Sequence, residues 1–181
     1  MKQSSIKQVS VKQASLKQSS VKQAPVKQLS IKKVLAYFLW FTSIFVIDRL
    51  AKFYALRTFV VPHDICELLQ FKLVFNRGIS WGMFHSENAF FFTFLTLLIV
   101  SIICVLIVFT YKCLQEQKAI FAQLAVLAGA ISNVIDRIVY GGVIDFIHVH
   151  IGSWSWPIFN IADVAIVLGI GWILWEHYNE S

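Results

Sequence analysis

Four long apolar segments follow a polar N-terminal stretch of this chain. They cover approximately residues 34–52, 89–111, 119–139 and 159–175. The second segment contains no charged residue, and as a helix it would be roughly 34 Å long, enough to cross a hydrocarbon core of about 30 Å. The pattern predicts four transmembrane helices, and four spans place both chain ends on the same side of the membrane.

The composition supports a membrane protein. Of the 181 residues, 57% are hydrophobic and 14% charged, and the mean hydropathy of +0.68 is too high for a soluble domain of this size. Between spans one and two, the β-prone stretches 57–61 and 71–75 are punctuated by Pro62 and Gly78. We therefore predict an all-α membrane protein with four transmembrane helices and a small outward-facing β-sheet between spans one and two.

The N-terminal stretch is a lysine repeat. Lys recurs at every fifth position from Lys2 to Lys32, and half of the 16 Lys and Arg residues lie in residues 1–33. A period of five gives neither a helical nor a strand face, so residues 1–33 are predicted to be a disordered domain and residues 34–178 the four-span domain. The repeat is either a tolerated extension or a segment that binds anionic lipid headgroups. It lacks aromatic residues to stack on bases, so nucleic-acid binding is not indicated.

The positively charged flanks predict the topology. The Lys-rich domain precedes span one, and Lys112 and Lys118 flank the turn between spans two and three. Because positively charged flanks stay in the cytoplasm, both termini are predicted to be cytoplasmic, and residues 55–87 and 140–158 are predicted to face outward.

Several polar residues lie inside the predicted spans, at similar depth. Asp48 and Asn133 are roughly 22 Å from the inner edge of their spans, Asp136 roughly 27 Å and Asp163 roughly 20 Å. Asp145 follows a glycine pair and can fold back to this level. Acids in the outer third of a bilayer face the protein interior and indicate a site, and at this point all four aspartates are candidates for it.

Helical spacing places these polar groups on common faces. Asp48 and Lys52, Asn133 and Arg137 are four apart, and Asn160 precedes Asp163 by three. The alternative is that the cations among them, together with Arg49, extend toward the membrane interface. A short aspartate side chain cannot do so.

Two carboxylates in a low-dielectric site share a proton and can act as an acid and a base. A water between them could attack a peptide bond without a covalent enzyme intermediate. The alternative function is a proton-coupled transporter subunit, which also uses intramembrane acids, although such sites tend to lie near the midplane. A non-catalytic lipid-binding membrane protein is a third possibility.

No metal site or cofactor is indicated by the sequence. Cys66, Cys104 and Cys113 have no metal-binding or redox spacing, and we interpret them as structurally incidental. His148 and His150 lie two apart, but no third ligand accompanies them.

Five motifs resemble the lipoprotein signal peptidases of bacteria, also called signal peptidase II, of the peptidase A8 type. They are VIDRLAKFYA in span one, FNRGISWGMF in the outward loop, GAISNVIDR in span three, GGVIDFI after it and FNIADVAI at span four. The similarity covers about residues 34–177 in order. Any one motif alone would be weak, and together they are specific.

The resemblance implies a function and assigns the site. It implies an enzyme that cleaves diacylglyceryl-modified prolipoproteins just before the lipidated Cys, in the bacterial inner membrane, with the active site near the outer face. Asp145 and Asp163 match the family's catalytic aspartates. The positions that match supporting or substrate-binding residues are Asp48, Lys52, Asn76, Gly78, Asn133, Asp136, Arg137 and Asn160. Substrates and membrane lipids are the implied partners, with no obligate protein partner.

One motif departs from the family pattern. The loop has Ser80 and Trp81 where the family more often has Ala and Phe, a change that keeps a small residue before an aromatic one. We do not expect it to remove activity. The lysine repeat has no counterpart in the family.

Overall fold

The computed structural model describes residues 29–78, 88–152 and 154–180. The helices are α1 (Ile31–Thr58), α2 (Ala89–Gln115), α3 (Phe121–Tyr140) and α4 (Ile161–Glu180). The strands are β1 (His63–Cys66), β2 (Leu69–Asn76), β3 (Val143–Ile151) and β4 (Trp154–Ser155). The predicted disorder of residues 1–33 falls almost wholly outside the described part of the chain and stays a prediction.

All four helices are long and apolar enough to cross a membrane, which confirms the predicted number of spans. Helix α3 is the central one, since most of its side chains are buried, whereas α1, α2 and α4 expose many large apolar side chains. In a protein without a bilayer these surfaces would be unfavourable. The exposed apolar faces are therefore the lipid-facing surfaces of a four-helix membrane bundle.

Helices α3 and α4 approach closely at two glycines. A Cβ added to Gly129 would lie 2.5 Å from the carbonyl oxygen of Ala162, and one added to Gly169 would lie 2.9 Å from that of Ala122. Small residues let transmembrane helices pack backbone to backbone. Gly129 thus lets the start of α4 approach the middle of α3, and Gly169 lets the middle of α4 approach the start of α3.

A four-stranded antiparallel sheet, in the order β1-β2-β3-β4, joins the ends of the helices. The predicted sheet exists, but the segment between α3 and α4 supplies two of its strands, which the prediction did not include. Residues 71–75 lie in β2 as expected. The stretch 57–61 is not a strand, because α1 continues to Thr58 and the amide of Phe59 still donates to the carbonyl of Ala55 at 2.9 Å.

An aromatic cluster attaches the sheet to α1. The ring of Phe59 stacks on that of Phe71 with centroids 4.8 Å apart, and Phe146 lies 6.2 Å from Phe59. Ala55 and Ile144 complete this buried core. Because Phe146 and Ile144 flank Asp145 on β3, the core fixes the strand that carries this aspartate.

Candidate active site

Asp145 lies on β3, immediately beyond the end of α3. Gly141 ends the helix in the left-handed conformation, with φ of 68°, which favours glycine. Strand β3 then pairs with β2, and Asp145 stands opposite Val74. The carboxyl group is buried, with the residue only 1% exposed. The helix end and the strand register together place this acid inside the protein.

Asp163 lies in the first turn of α4 and forms a reciprocal capping arrangement with Asn160. The amide of Asp163 donates to Oδ1 of Asn160 at 2.9 Å, and the amide of Asn160 donates to Oδ2 of Asp163 at 3.2 Å. This is the geometry of a capping box, which satisfies two otherwise free amides at a helix start. It also fixes the orientation of the Asp163 carboxylate.

Asn160 joins the two aspartates. Its Nδ2 donates to Oδ1 of Asp145 at 2.7 Å, while its backbone and Oδ1 hold Asp163. The preceding residue, Phe159, pairs with Ile147 of β3, so the strand also positions Asn160. One asparagine thus brings a strand residue and a helix residue to the same place.

Two further asparagines hold the outer sides of the carboxylates. Asn76 at the end of β2 donates to Oδ2 of Asp145 at 3.0 Å, and Asn133 of α3 donates to Oδ1 of Asp163 at 2.8 Å. Within the residues that the structure describes, no cationic nitrogen lies within 4.0 Å of either carboxylate. We call Asp145 and Asp163 the acid pair.

The surroundings of Asp145 favour its protonated form. Burial, and secondly the neighbouring charge of Asp163, raise its pKa from 3.8 to about 7, although hydrogen bonds from Asn76 and Asn160 and the charge of Lys52 oppose the shift. A buried carboxyl beside another acid is expected to hold a proton. Asp145 can therefore change its protonation state near neutral pH.

The acid pair lies at a cavity of about 210 Å³ between α2, α3 and α4. Polar groups line one part of it: Asn76, Gly78, Asn133, Arg137 and the two aspartates. Apolar side chains form the remainder: Ile99, Ile102, Ile103, Leu106, Val126, Ala130, Val143, Ile166 and Ile170. Two carboxyl groups thus border a cavity that is lined mostly by apolar side chains.

Four charged residues form a second group, which we call the ion cluster: Asp48, Arg49, Lys52 and Asp136. Lys52 Nζ lies 2.8 Å from Asp48 and 2.7 Å from Asp136, and Arg49 lies 2.5 Å from Asp136. Lys52 is 0% exposed. A buried charge is tolerated only when it is paired and hydrogen-bonded, and here each one is.

The acids of the ion cluster also hold parts of the backbone. Asp48 accepts from Ser132 Oγ at 2.6 Å and from the amide of Ala162 at 2.8 Å, so it ties α1 to α3 and α4. Asp136 accepts from the amide of Ile144 at 3.3 Å, next to Asp145. The ion cluster thus positions both segments that carry the acid pair.

Arg137 lies on the cavity wall and binds the loop after β2. Its Nη2 donates to the carbonyl of Gly78, whose own amide donates to Oδ1 of Asn76 at 2.9 Å. Its other terminal nitrogen, Nη1, is buried without a hydrogen-bond partner among the described residues. The guanidinium also lies 5.4 Å from the ring centroid of Phe92. One donor at the cavity is therefore still available.

Comparison with known proteins identifies the family. The protein-family model of signal peptidase (SPase) II matches residues 40–179. The chain belongs to the signal peptidase II family. A lipoprotein signal peptidase of Thermodesulfovibrio yellowstonii is 37% identical over 140 residues, which cover 76% of this chain and 90% of that protein. One from Polynucleobacter necessarius is 32% identical, with 76% and 86% covered.

Solved structures agree with this membership. A bacterial membrane enzyme determined by the in meso method at 2.3 Å resolution is 26% identical, with a TM-score of 0.66 over 80% of this chain and 88% of that one. A second, at 1.9 Å resolution, is 24% identical with the same TM-score and shares the fold. The chain is thus a multi-pass bacterial membrane protein of a peptidase family, as the resemblance implied.

In this signal peptidase II family member, the structure brings every predicted site residue into one connected region. The ion cluster, the acid pair and their asparagines contact one another, and Gly78 and Arg137 border the same cavity. The predicted alternative, in which cations extend to the membrane interface, is wrong for Lys52 and Arg137, because both are buried. Ser80 and Trp81 lie outside the described residues.

Some contributors were not predicted. Ser132 bridges Asp48 and Arg49, and four of the nine apolar side chains of the cavity wall come from α2, which contains no polar motif. Ser132 immediately precedes Asn133 in the sequence. Its role becomes visible only in the structure, where α1 packs against α3. Isoleucines on a transmembrane helix carry no sequence signal that separates a cavity wall from a lipid-facing surface.

Proposed function

We propose that this protein is an intramembrane aspartyl endopeptidase that removes signal peptides from diacylglyceryl-modified prolipoproteins by cleaving before the lipidated Cys. The observation that supports this most is the acid pair at the polar end of an apolar-walled cavity. The names of its relatives, lipoprotein signal peptidases, support the substrate class.

The proposed chemistry uses one proton shared by two carboxyl groups. The ionised carboxylate takes a proton from a water molecule as that water attacks the peptide carbonyl carbon. The protonated partner donates to the forming oxyanion. When the tetrahedral intermediate collapses, the departing nitrogen takes the proton that the first carboxylate received from water, a hydroxyl of the intermediate returns its proton to the second carboxylate, and the C–N bond breaks. The raised pKa of Asp145 supports a role as the proton carrier at neutral pH.

Hydrogen bonds from asparagine side chains hold the two carboxyl groups in position for this chemistry. Asn76, Asn133 and Asn160 hold the carboxyl groups without neutralising them, because amides donate hydrogen bonds but carry no charge. The free Nη1 of Arg137 is a suitable donor for a substrate carbonyl beside the acids. A preorganised donor lowers the energy of developing negative charge.

The apolar wall suits a lipid-bearing substrate. Ile102 and Leu106 of α2 and Ile166 and Ile170 of α4 line the cavity below the acid pair. Acyl chains attached to a substrate Cys can contact these side chains while its peptide bond contacts the acids. The proposed orientation has both termini in the cytoplasm, supported by Lys112 and Lys118 in the turn between α2 and α3, and the acid pair toward the outer face.

The test compares Asp145→Asn and Asp163→Asn with Asp64→Asn, an exposed aspartate on β1. Purified proteins receive a diacylglyceryl-modified precursor and the same precursor without lipid. We expect each acid-pair variant to lose about 10²–10⁴-fold in cleavage rate, since general acid–base catalysis contributes about this factor per group. Asp64→Asn should retain full activity on the lipidated precursor alone.

Full activity in either acid-pair variant would show that the assignment is wrong. Equal cleavage of both precursors would retain the peptidase and reject the lipid specificity. Mass spectrometry of the products checks the cleavage position, which should lie immediately before the modified Cys.

A further inference from the structure

A second cavity lies at the opposite end of the helices from the acid pair. It has a volume of about 550 Å³ and is bordered by the end of α2, the turn into α3 and the last turns of α4. This volume is in the range of small-molecule sites, about 300–1,000 Å³. Its polar lining includes Lys112, Gln123 and Glu176, and its apolar lining includes Phe109, Leu174 and Trp175. None of these residues belongs to the candidate active site.

Gln123 lines this cavity and contains an unsatisfied polar atom. The residue is only 3% exposed, and its Oε1 is buried without a hydrogen-bond partner among the described residues. Its Nε2 is 3.9 Å from the sulfur of Cys113. Buried side-chain acceptors normally have a partner, and leaving one without costs about 1–3 kcal/mol. The site therefore calls for a hydrogen-bond donor.

The charges around the cavity leave one cation and one anion available. Lys118 is 2.8 Å from Glu180 and 3.7 Å from Glu116, so these three are engaged with one another. Lys112 and Glu176 line the same cavity, and within the described ranges neither takes part in an ion pair. Together with the acceptor of Gln123, they complement a ligand that carries both a phosphate and an ammonium group.

An apolar groove continues from this cavity along α4. Val167, Leu168, Gly171, Trp172 and Trp175 line it, and Trp175 borders both spaces. These positions recur at helical spacing, so they form one stripe. A Cβ added to Gly171 would meet nothing within 4 Å, which shows open space over the middle of the stripe. The polar cavity and the groove together have the outline of a headgroup site followed by a chain site.

We propose that this cavity and groove bind one phospholipid with a primary ammonium headgroup, of the phosphatidylethanolamine class. The phosphate contacts Lys112, the ammonium donates to Gln123 Oε1 and Glu176, and an acyl chain lies over Gly171. The position supports a lipid: the helices span the membrane, and Trp at a helix end is typical of the lipid–water interface. The proposal does not depend on the peptidase assignment.

The first experiment measures which lipid the purified full chain retains. The protein is delipidated in detergent, incubated with equal amounts of dioleoyl phosphatidylethanolamine, phosphatidylcholine and phosphatidylglycerol, and examined by native mass spectrometry. Phosphatidylcholine is the matched control, since its methylated ammonium cannot donate a hydrogen bond. We expect about tenfold more phosphatidylethanolamine than either other lipid, from hydrogen bonds between a charged donor and its acceptors. Equal retention of the three lipids would overturn the proposal.

Variants then test the contacts separately. Gln123→Leu and Glu176→Gln should each reduce the preference for phosphatidylethanolamine, and Gly171→Leu should reduce retention of all three lipids by filling the groove. Glu67→Gln, in the turn between β1 and β2, is the matched control and should change nothing. Thermal unfolding verifies that each variant is folded. A folded Gln123→Leu protein with an unchanged preference would show that the cavity holds water and not this headgroup.

Discussion

The ion cluster and the acid pair each contain two aspartates, but the partners differ: those of the ion cluster are cations, and those of the acid pair are amides. Asp48 and Asp136 each contact the ammonium of Lys52, and Asp136 also contacts Arg49. Asp145 and Asp163 contact only asparagine amides and backbone among the described residues. The first two are paired with cations, whereas the second two have no cationic partner within 4.0 Å among the described residues.

This difference distinguishes a structural role for aspartates that are paired with cations from a chemical role for aspartates that are held by amides. A carboxylate that is paired with a cation and also accepts from backbone or hydroxyl donors can hold a helix or a strand in place. A buried carboxyl group with amide partners is less stable as an anion, and burial together with the charge of Asp163 raises the pKa of Asp145 to about 7. Asn133 links the two groups, because it accepts from Lys52 at 2.7 Å and donates to Asp163 at 2.8 Å. Substitutions in the ion cluster, at Asn133 and near the acid pair test whether the two roles are separate.

The largest effect on stability is expected from Lys52→Met. It leaves Asp48 without its cation in a buried site, and removing one partner of a buried pair costs about 3–5 kcal/mol. Thermal unfolding in detergent should show a large decrease of the melting temperature. Asp145→Asn, in contrast, should leave the melting temperature unchanged or higher while it removes activity.

Two variants control this measurement. Lys72→Met changes an exposed lysine on β2 and should have little effect on unfolding. Asp48→Asn added to Lys52→Met should recover part of the lost stability, because the unpaired carboxylate is then removed. If Lys52→Met unfolds at the wild-type temperature, the ion cluster does not stabilise the folded protein.

The next effect is expected from Asn133→Leu, which breaks the link between the two groups. It removes the hydrogen bond from Asn133 to Asp163 and a hydrogen-bond acceptor of Lys52. Hydrogen bonds to charged groups contribute about 1.5–3 kcal/mol, so we expect a loss of about 10- to 100-fold in cleavage rate. Asn133→Asp adds a third acid beside the pair and should lower the rate too, whereas a variant at an exposed asparagine, Asn179→Leu, should not. Wild-type rates in Asn133→Leu would remove Asn133 from the positioning residues.

The pH dependence of cleavage is the third test. With the pKa of Asp145 raised to about 7, the rate should decrease as pH rises through about 7, because both carboxyl groups become ionised. Asn76→Ala removes a hydrogen bond that lowers this pKa, so the alkaline decrease should move to higher pH. A decrease that does not move with Asn76→Ala would assign the titration to another group.

The pH dependence of unfolding tests the direction of the Asp145 pKa shift independently of the cleavage rate. The pKa of Asp145 is higher in the folded state than its ordinary value of 3.8, so the folded protein binds more protons between these values. Its contribution to stability is complete below about 3.8 and is lost as pH rises to about 7. Asp145→Asn should remove this part of the pH dependence.

The sequence predicted the four spans because long apolar runs are a local signal. It also predicted that the buried acids gather at one depth, since helical rise converts residue counts into distance. It did not predict β3 and β4 as strands of the sheet. Strand pairing joins residues far apart in the chain, such as Val74 with Asp145.

The positions of two side chains could not be predicted from the local sequence. Lys52 ends its predicted span, where an interfacial lysine is expected, and its burial is explained by Asp136 and Asn133 on α3 together with Asp48. Asn160 was placed within span four, whereas it precedes α4 and caps it. Which of four aspartates form the acid pair followed from the family resemblance and not from depth, and the assignment stays a proposal.

The smallest effect is expected from Arg49→Gln, at the exposed margin of the ion cluster. The Arg49 side chain is 24% exposed, and Asp136 keeps Lys52 at 2.7 Å when Arg49 is replaced. A partly exposed pair of this kind contributes about 1 kcal/mol or less. We expect a small decrease in melting temperature, weaker still at high salt, and an unchanged cleavage rate. A loss as large as that of Lys52→Met would mean that Asp136 depends on both cations, and that its charge is less well compensated than that of Asp48.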